Sequence, residues 1–113
     1  MARLSMEGRG NGEELANQIA MEIGESGMSV ELVDSVTRQV GDVTIYIMVF
    51  EKYFMRSSNR ASLTVVLTCR QDQIQVDAIG AGGGQGVFLR FSWGAEESFV
   101  GVLERILRRE NFA

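Results

Sequence analysis

The chain has 113 residues, a formal net charge of −4, no histidine and one cysteine, Cys69. The missing histidines exclude a histidine general base, a Ser-His-Asp triad and a histidine metal ligand. A lone cysteine excludes an internal disulfide and a thiolate zinc cluster. The acidic balance argues against a nucleic-acid partner, which usually needs a basic surface.

No apolar run approaches the roughly 18 residues that a membrane-spanning helix requires. The first ten residues, MARLSMEGRG, lack the apolar centre of a signal peptide. We therefore expect one cytoplasmic domain over residues 1–113, with no membrane partner and no cofactor.

The first elements predicted are a short strand over residues 3–7 and a helix over residues 12–25. Asn11 is a typical N-cap, with Glu14 at the matching capping-box position. Leu15, Ile19 and Ile23 recur every four residues and form one apolar stripe. Gly24 and Gly27 supply the flexible backbone that commonly ends a helix.

Alternation and β-branched residues then predict strands over residues 28–40, 43–54, 61–70, 74–80 and 87–92. A final amphipathic helix is predicted over residues 95–110. The element order is β-α-β-β-β-β-β-α. Short connections between successive strands favour antiparallel pairing. The expected fold is an α+β, two-layer domain, with five or six antiparallel strands and both helices on one face.

The strand at residues 43–54 is apolar on both sides. We predict that Ile45, Ile47 and Val49 face the helices, and that the opposite side stays uncovered and forms an interface. That interface comprises Tyr46, Met48, Phe50, Val66 and Phe88. A homo-oligomer fits this pattern. A sheet that coils around this face, or a different partner, remains an alternative.

The segment AIGAGGGQGVFL, residues 78–89, places five glycines in seven residues. It misses the dinucleotide fingerprint, because the sixth position counted from Gly80 is Gln85. It also lacks the Lys-Ser/Thr of a P-loop, and the predicted strand after it offers no helix N-terminus. A hairpin or bulged strand is the favoured interpretation, and an anion-binding nest of backbone N–H groups is the alternative.

Charged and aromatic residues gather around the predicted loop at residues 56–59. Solvated strand-end charges explain such a cluster, but a carboxylate or phosphate ligand would also fit. A ligand is expected between the sheet and the last helix, near Arg60. Trp93 either packs at the helix start or stacks on the ligand. The candidate ligand-binding residues are Glu51, Tyr53, Asn59, Arg60, Gly82, Gly83, Gly84, Gln85 and Trp93.

Four short motifs resemble a family of small, uncharacterised bacterial proteins of about 110 residues, found mainly in Firmicutes. The motifs are FEKY at residues 50–53, Asn59-Arg60, the glycine stretch at residues 82–86 and GAEESF at residues 94–99. The resemblance implies one compact α+β domain and carries no established activity.

The sequence thus predicts a non-enzymatic domain that self-associates through its sheet and that has room for a small-molecule ligand. A curved-sheet carrier or enzyme of the helix-grip type, with an apolar ligand in a cavity, is the alternative.

Overall fold

A computed structural model of the chain describes residues 2–27, 29–54, 59–82 and 89–113. Five strands and two helices account for nearly all of these residues. In chain order they are β1 (Ala2–Arg9), α1 (Gly12–Gly24), β2 (Val30–Val40), β3 (Val43–Phe54), β4 (Asn59–Arg70), β5 (Gln73–Gly82) and α2 (Leu89–Arg109).

The strands form one antiparallel sheet in the order β1-β5-β4-β3-β2. Two-residue turns join β2 to β3 and β4 to β5, because Val40 lies opposite Val43 and Arg70 lies opposite Gln73. Each turn contains a left-handed residue, Gly41 with φ 60° and Gln71 with φ 54°. The tight turns fix the pairing register and therefore the face on which each side chain lies.

Helix α1 begins as predicted: the Asn11 side chain accepts a hydrogen bond from the Glu14 N–H at 3.0 Å. Helix α2 ends where Asn111 adopts a left-handed conformation with φ 68°. The Phe112 N–H then bonds back to the Leu107 carbonyl at 2.9 Å, as in a helix C-cap. This reversal brings Phe112 onto β1, where only the missing side chain of Gly8 leaves room for its ring.

Both helices pack on the same face of the sheet, as the sequence predicts. Helix α1 contributes its predicted stripe and α2 lies mainly over β5 and β4. The core between the layers is apolar and tightly covered. Its fully buried side chains include Ile19, Ile23, Phe50, Leu63, Val65, Leu67, Val76, Leu103 and Leu107.

The predicted strand at residues 87–92 is wrong. Residues 89–92 are helical, so α2 begins six residues earlier than predicted and the sheet has five strands. Ser92 and Gly94 consequently lie inside the helix. Short apolar runs do not distinguish a strand from a buried helix, and here the helical pattern that follows extends back through the run.

No helix in the described part of the chain is both long enough and apolar enough to cross a bilayer.

Candidate functional site

The face of the sheet opposite the helices carries apolar side chains that neither helix covers. Pairing aligns Val36 with Ile47, Ile47 with Val66, and Val66 with Asp77. The same face carries Ile45 and Val49 on β3 and Ile79 on β5, and none of these apolar side chains reaches full burial. The apolar centre of this uncovered face consists of Val36, Ile45, Ile47, Val49, Val66 and Ile79.

The predicted interface has the two sides of β3 reversed. Tyr46, Met48 and Phe50 face the helices, and Met48 and Phe50 belong to the core. Register explains the reversal, because Phe50 lies opposite the buried Leu63 and Met48 lies opposite the buried Val65. Of the five residues proposed for the interface, Val66 lies on the uncovered face. Phe88 lies outside the described residues.

Ile45, Ile47 and Val49, which are predicted to face the helices, lie on the uncovered face. Side-chain size is the signal that could have placed them correctly. Phe50, Met48 and Tyr46 are the larger side chains and fill the interior, whereas β-branched side chains suit a half-exposed pleated surface.

Polar side chains border the apolar centre at both ends. At one end a shallow depression of about 530 Å³ is lined by Glu7, Arg9, Thr68, Arg70 and Gln75. Arg9 pairs with Asp72 at 3.1 Å and Arg70 pairs with Asp42 at 3.4 Å. An apolar centre with a charged rim is the usual anatomy of a protein–protein interface.

The other end holds three of the predicted ligand-binding residues. Arg60 Nη1 lies 3.7 Å from Glu51 Oε1, and the Arg60 guanidinium lies 5.8 Å from the centre of the Tyr53 ring. Both contacts are solvent-exposed, and Glu51 offsets the charge of Arg60. The arrangement fits a surface ion pair, worth about 0–1 kcal/mol, better than an anion site.

The predicted ligand position between the sheet and α2 does not fit Arg60. Arg60 lies opposite Tyr53 on the uncovered face, whereas its neighbour Ala61 is buried on the helix side. Gly82 pairs with Ala61 and therefore belongs to the helix side. The sheet itself thus separates Arg60 from α2.

Five further ligand-binding candidates lie wholly or with their side chains outside the described structure. Gly83, Gly84 and Gln85 lie outside the described residues, as do the side chains of Asn59 and Trp93. The backbone does place α2 after the glycine stretch, with β5 ending at Gly82 and α2 starting at Leu89. The expectation that a strand, and no helix, follows the glycines is therefore wrong. The hairpin or bulged-strand interpretation concerns residues 83–86, which lie outside the described residues.

Cys69 is buried against the start of α1, and burial raises the pKa of its thiol. A raised pKa disfavours the nucleophilic thiolate. Among the described residues, no three cysteine or carboxylate side chains converge as metal ligands.

A separate cleft of about 390 Å³ lies between α1 and β2, with Ala16, Ala20, Leu32, Tyr46 and Met48 among its lining residues.

Comparison with known proteins identifies the family to which the chain belongs. No curated protein and no solved structure matches the chain significantly. A family model described as a family of unknown function (DUF6054) matches residues 1–111. The match covers almost the whole chain, which confirms the predicted resemblance to an uncharacterised family. The chain belongs to this family of unknown function.

Proposed function

We propose that this chain is a non-enzymatic domain that self-associates, and that the uncovered sheet face is its interface. The observation that carries the proposal is the apolar centre around Ile47 and Val66, bordered by ion pairs and covered by neither helix. The chemistry of the chain supports a non-catalytic role, since it has no histidine and its one thiol is buried.

The expected association is weak to moderate. The apolar side chains of this face are already partly buried, so each contributes about 1 kcal/mol on full burial, less than a fully exposed side chain. Five or six of them give about 5 kcal/mol, which only matches the lower estimates of the cost of association. A dissociation constant of 1 μM requires about −8 kcal/mol, so self-association through this face should be detected only at protein concentrations well above the micromolar range.

Sedimentation velocity over a hundredfold concentration range tests the proposal. Ile79→Lys and Ile47→Lys place a charge in the apolar centre and should shift the distribution towards monomer. Met21→Lys is the matched control, because Met21 is an apolar side chain, 57% exposed on α1, on the helix side. A monomer at every concentration, or equal effects of all three variants, contradicts the proposal.

A second candidate function is binding of an apolar ligand, as in a helix-grip carrier. The cleft between α1 and β2 favours it, because apolar Ala20 and Leu32 lie beside polar Asn17 and Thr37 in its lining. Its volume suits a small ligand. Native mass spectrometry of the purified protein should then show an added mass. Ala20→Phe narrows the cleft and should remove that mass, whereas Met21→Phe, the next residue along α1, should not.

A further inference from the structure

The two edges of the sheet differ in how they are protected. On β1, the Glu7 N–H and carbonyl exchange hydrogen bonds of 2.9 and 3.0 Å with the backbone of Ala113. The segment after α2 therefore occupies part of that edge. On β2, pairing within the described residues is with β3 alone. Ten of its eleven residues are exposed, so β2 presents a row of backbone donors and acceptors to solvent.

The protection that β2 has as an edge strand comes from three charged residues, Glu31, Asp34 and Arg38. The strand contains no proline, and it carries four of the seven large apolar side chains that are exposed in the described chain. A register shift between Leu32 and Asp34 disrupts only its beginning. The rest of the strand pairs regularly with β3. The four exposed apolar residues are Leu32, Val33, Val36 and Val40.

We propose that β2 pairs antiparallel with β2 of a second copy of this chain, joining two sheets into one of ten strands. A symmetric pair of this kind has its two-fold axis perpendicular to the sheet, so one residue lies opposite itself. With Val36 at that position, Asp34 lies opposite Arg38 of the second copy, and Arg38 lies opposite Asp34 of the second copy.

The neighbouring registers lack this charge complementarity. Centring the pair on Asp34 or on Arg38 places like charges directly opposite each other, which is unfavourable. Centring it on Ser35 or Thr37 leaves Asp34 and Arg38 opposite uncharged residues. The charge pattern of β2 therefore selects the Val36 register.

The fold leaves the two charges available for this contact. In the described chain neither takes part in an ion pair. Asp34 Oδ1 accepts only the neighbouring Ser35 N–H at 2.8 Å, and Arg38 Nη1 contacts the Thr37 carbonyl at 3.3 Å. The Val36 register also brings the apolar residues of the two copies into one continuous row. Val36 lies beside Ile47, which lies beside Val66, and pairing Val36 with its copy extends this apolar row across both sheets.

This edge contact is distinct from the proposed face contact, so the two can be tested independently. Cysteine cross-linking detects the edge contact directly. In a Cys69→Ala background, Val36→Cys should form a disulfide-linked dimer under mild oxidation, because directly opposite residues have the required spacing. Val40→Cys is the control, since Val40 lies eight residues along the paired strand from its own copy. Cross-linking that peaks at Asp34→Cys or Ser35→Cys, or none at any position, overturns the proposal.

A charge swap tests the same contact without cysteine. Asp34→Arg and Arg38→Asp should each weaken the dimer by about tenfold or more, because each places like charges opposite each other twice. The double variant should recover the wild-type dissociation constant. Failure of that recovery overturns the register.

Ile79→Lys separates this proposal from the face proposal. Ile79 lies three strands from β2, about 14 Å away. If Ile79→Lys abolishes association and the Val36→Cys cross-link with it, the edge contact is overturned. If the cross-link persists in the Ile79→Lys background, the edge contact is supported, whether or not the uncovered face also forms an interface.

Discussion

Arg109 Nη2 donates to Glu22 Oε1 at 2.6 Å and so ties the end of α2 to the last turns of α1. Gln18 donates to Glu22 Oε2 at 2.8 Å. The hydrogen bond from Arg109, and then that from Gln18, lower the pKa of Glu22 below its ordinary value of 4.5. The carboxylate is thus stabilised in the folded protein, and the two helices are linked by a charge that acid can remove.

This pair predicts a pH-dependent contribution to stability. Because the pKa of Glu22 is lower in the folded than in the unfolded state, its contribution is complete above pH 4.5 and is lost as the pH falls through the lower folded value. Glu22→Gln should therefore be less stable than wild type near neutral pH. The difference should shrink as the pH falls below 4.5.

Denaturant unfolding at pH values from about 6 to about 3 measures this difference. Glu104→Gln is the control, because Glu104 pairs with Arg108 inside α2 and does not link the helices. A constant gap between wild type and Glu22→Gln across the whole pH range contradicts the assignment.

The second prediction concerns the start of α1. A Cβ atom at Gly12 would lie 2.6 Å from Cys69 Sγ and 3.3 Å from the Tyr46 ring, so α1 can approach the sheet only through glycine. Gly12→Ala should destabilise the fold by about 1–3 kcal/mol. In the Gly12→Ala/Cys69→Ala double variant the loss should be smaller than the sum of the two single losses, because the sulfur is the nearest obstacle.

Gly24→Ala is the matched control for Gly12→Ala. Gly24 lies at the other end of the same helix and a Cβ there would meet nothing within 4 Å. Alanine has the better helix propensity, so Gly24→Ala should be neutral or stabilising by up to about 1 kcal/mol. Equal losses at both glycines would show that helix propensity, and not the contact with Cys69, decides the outcome.

Local sequence patterns were sufficient for most of the fold. The Asn11 cap, the stripe of α1 and the Gly41 turn were predictable because each depends on residues a few positions apart. The side of β3 that faces the helices was not predictable in this way. Both of its sides are apolar, and the choice depends on pairing with β4, which places Phe50 against Leu63.

The start of α2 was missed for a related reason. The segment VFLRFS at residues 87–92 is compatible with either a strand or a helix, and residues 89–92 are helical. The residues of the candidate site were therefore predicted less well than its composition. Its composition, an apolar centre with a polar rim, was predictable from the surplus of apolar residues. Except for Val66, the residues named for it face the helices or lie outside the described chain.

The orientation of β3 is itself a testable prediction. Phe50 is fully buried, whereas Ile47 lies on the uncovered face and is only partly buried. Phe50→Ala should therefore cost about 3–5 kcal/mol of unfolding free energy, and Ile47→Ala less than about 2 kcal/mol. Thermal or denaturant unfolding at low protein concentration measures both without a contribution from association. A larger loss at Ile47 than at Phe50 would reverse the assignment of the two faces.

The turn between β4 and β5 offers the last prediction. Gln71 adopts a left-handed conformation with φ 54°, in which most side chains are strained by about 1–2 kcal/mol. Glycine relieves that strain but increases the entropy of the unfolded chain. Gln71→Gly should therefore raise stability by about 0.5–1 kcal/mol, measured by denaturant unfolding at equal m-values.

Gly41 provides the reciprocal experiment in the turn between β2 and β3. With φ 60° and no neighbour within 4 Å of its missing Cβ, Gly41→Ala suffers from backbone strain alone. It should lower stability by about 1 kcal/mol. If Gln71→Gly destabilises the protein while Gly41→Ala behaves as expected, an interaction of the Gln71 side chain outweighs its strain. In that case the Gln71 side chain, and not only the backbone conformation of the turn, helps to fix the register of β4 and β5.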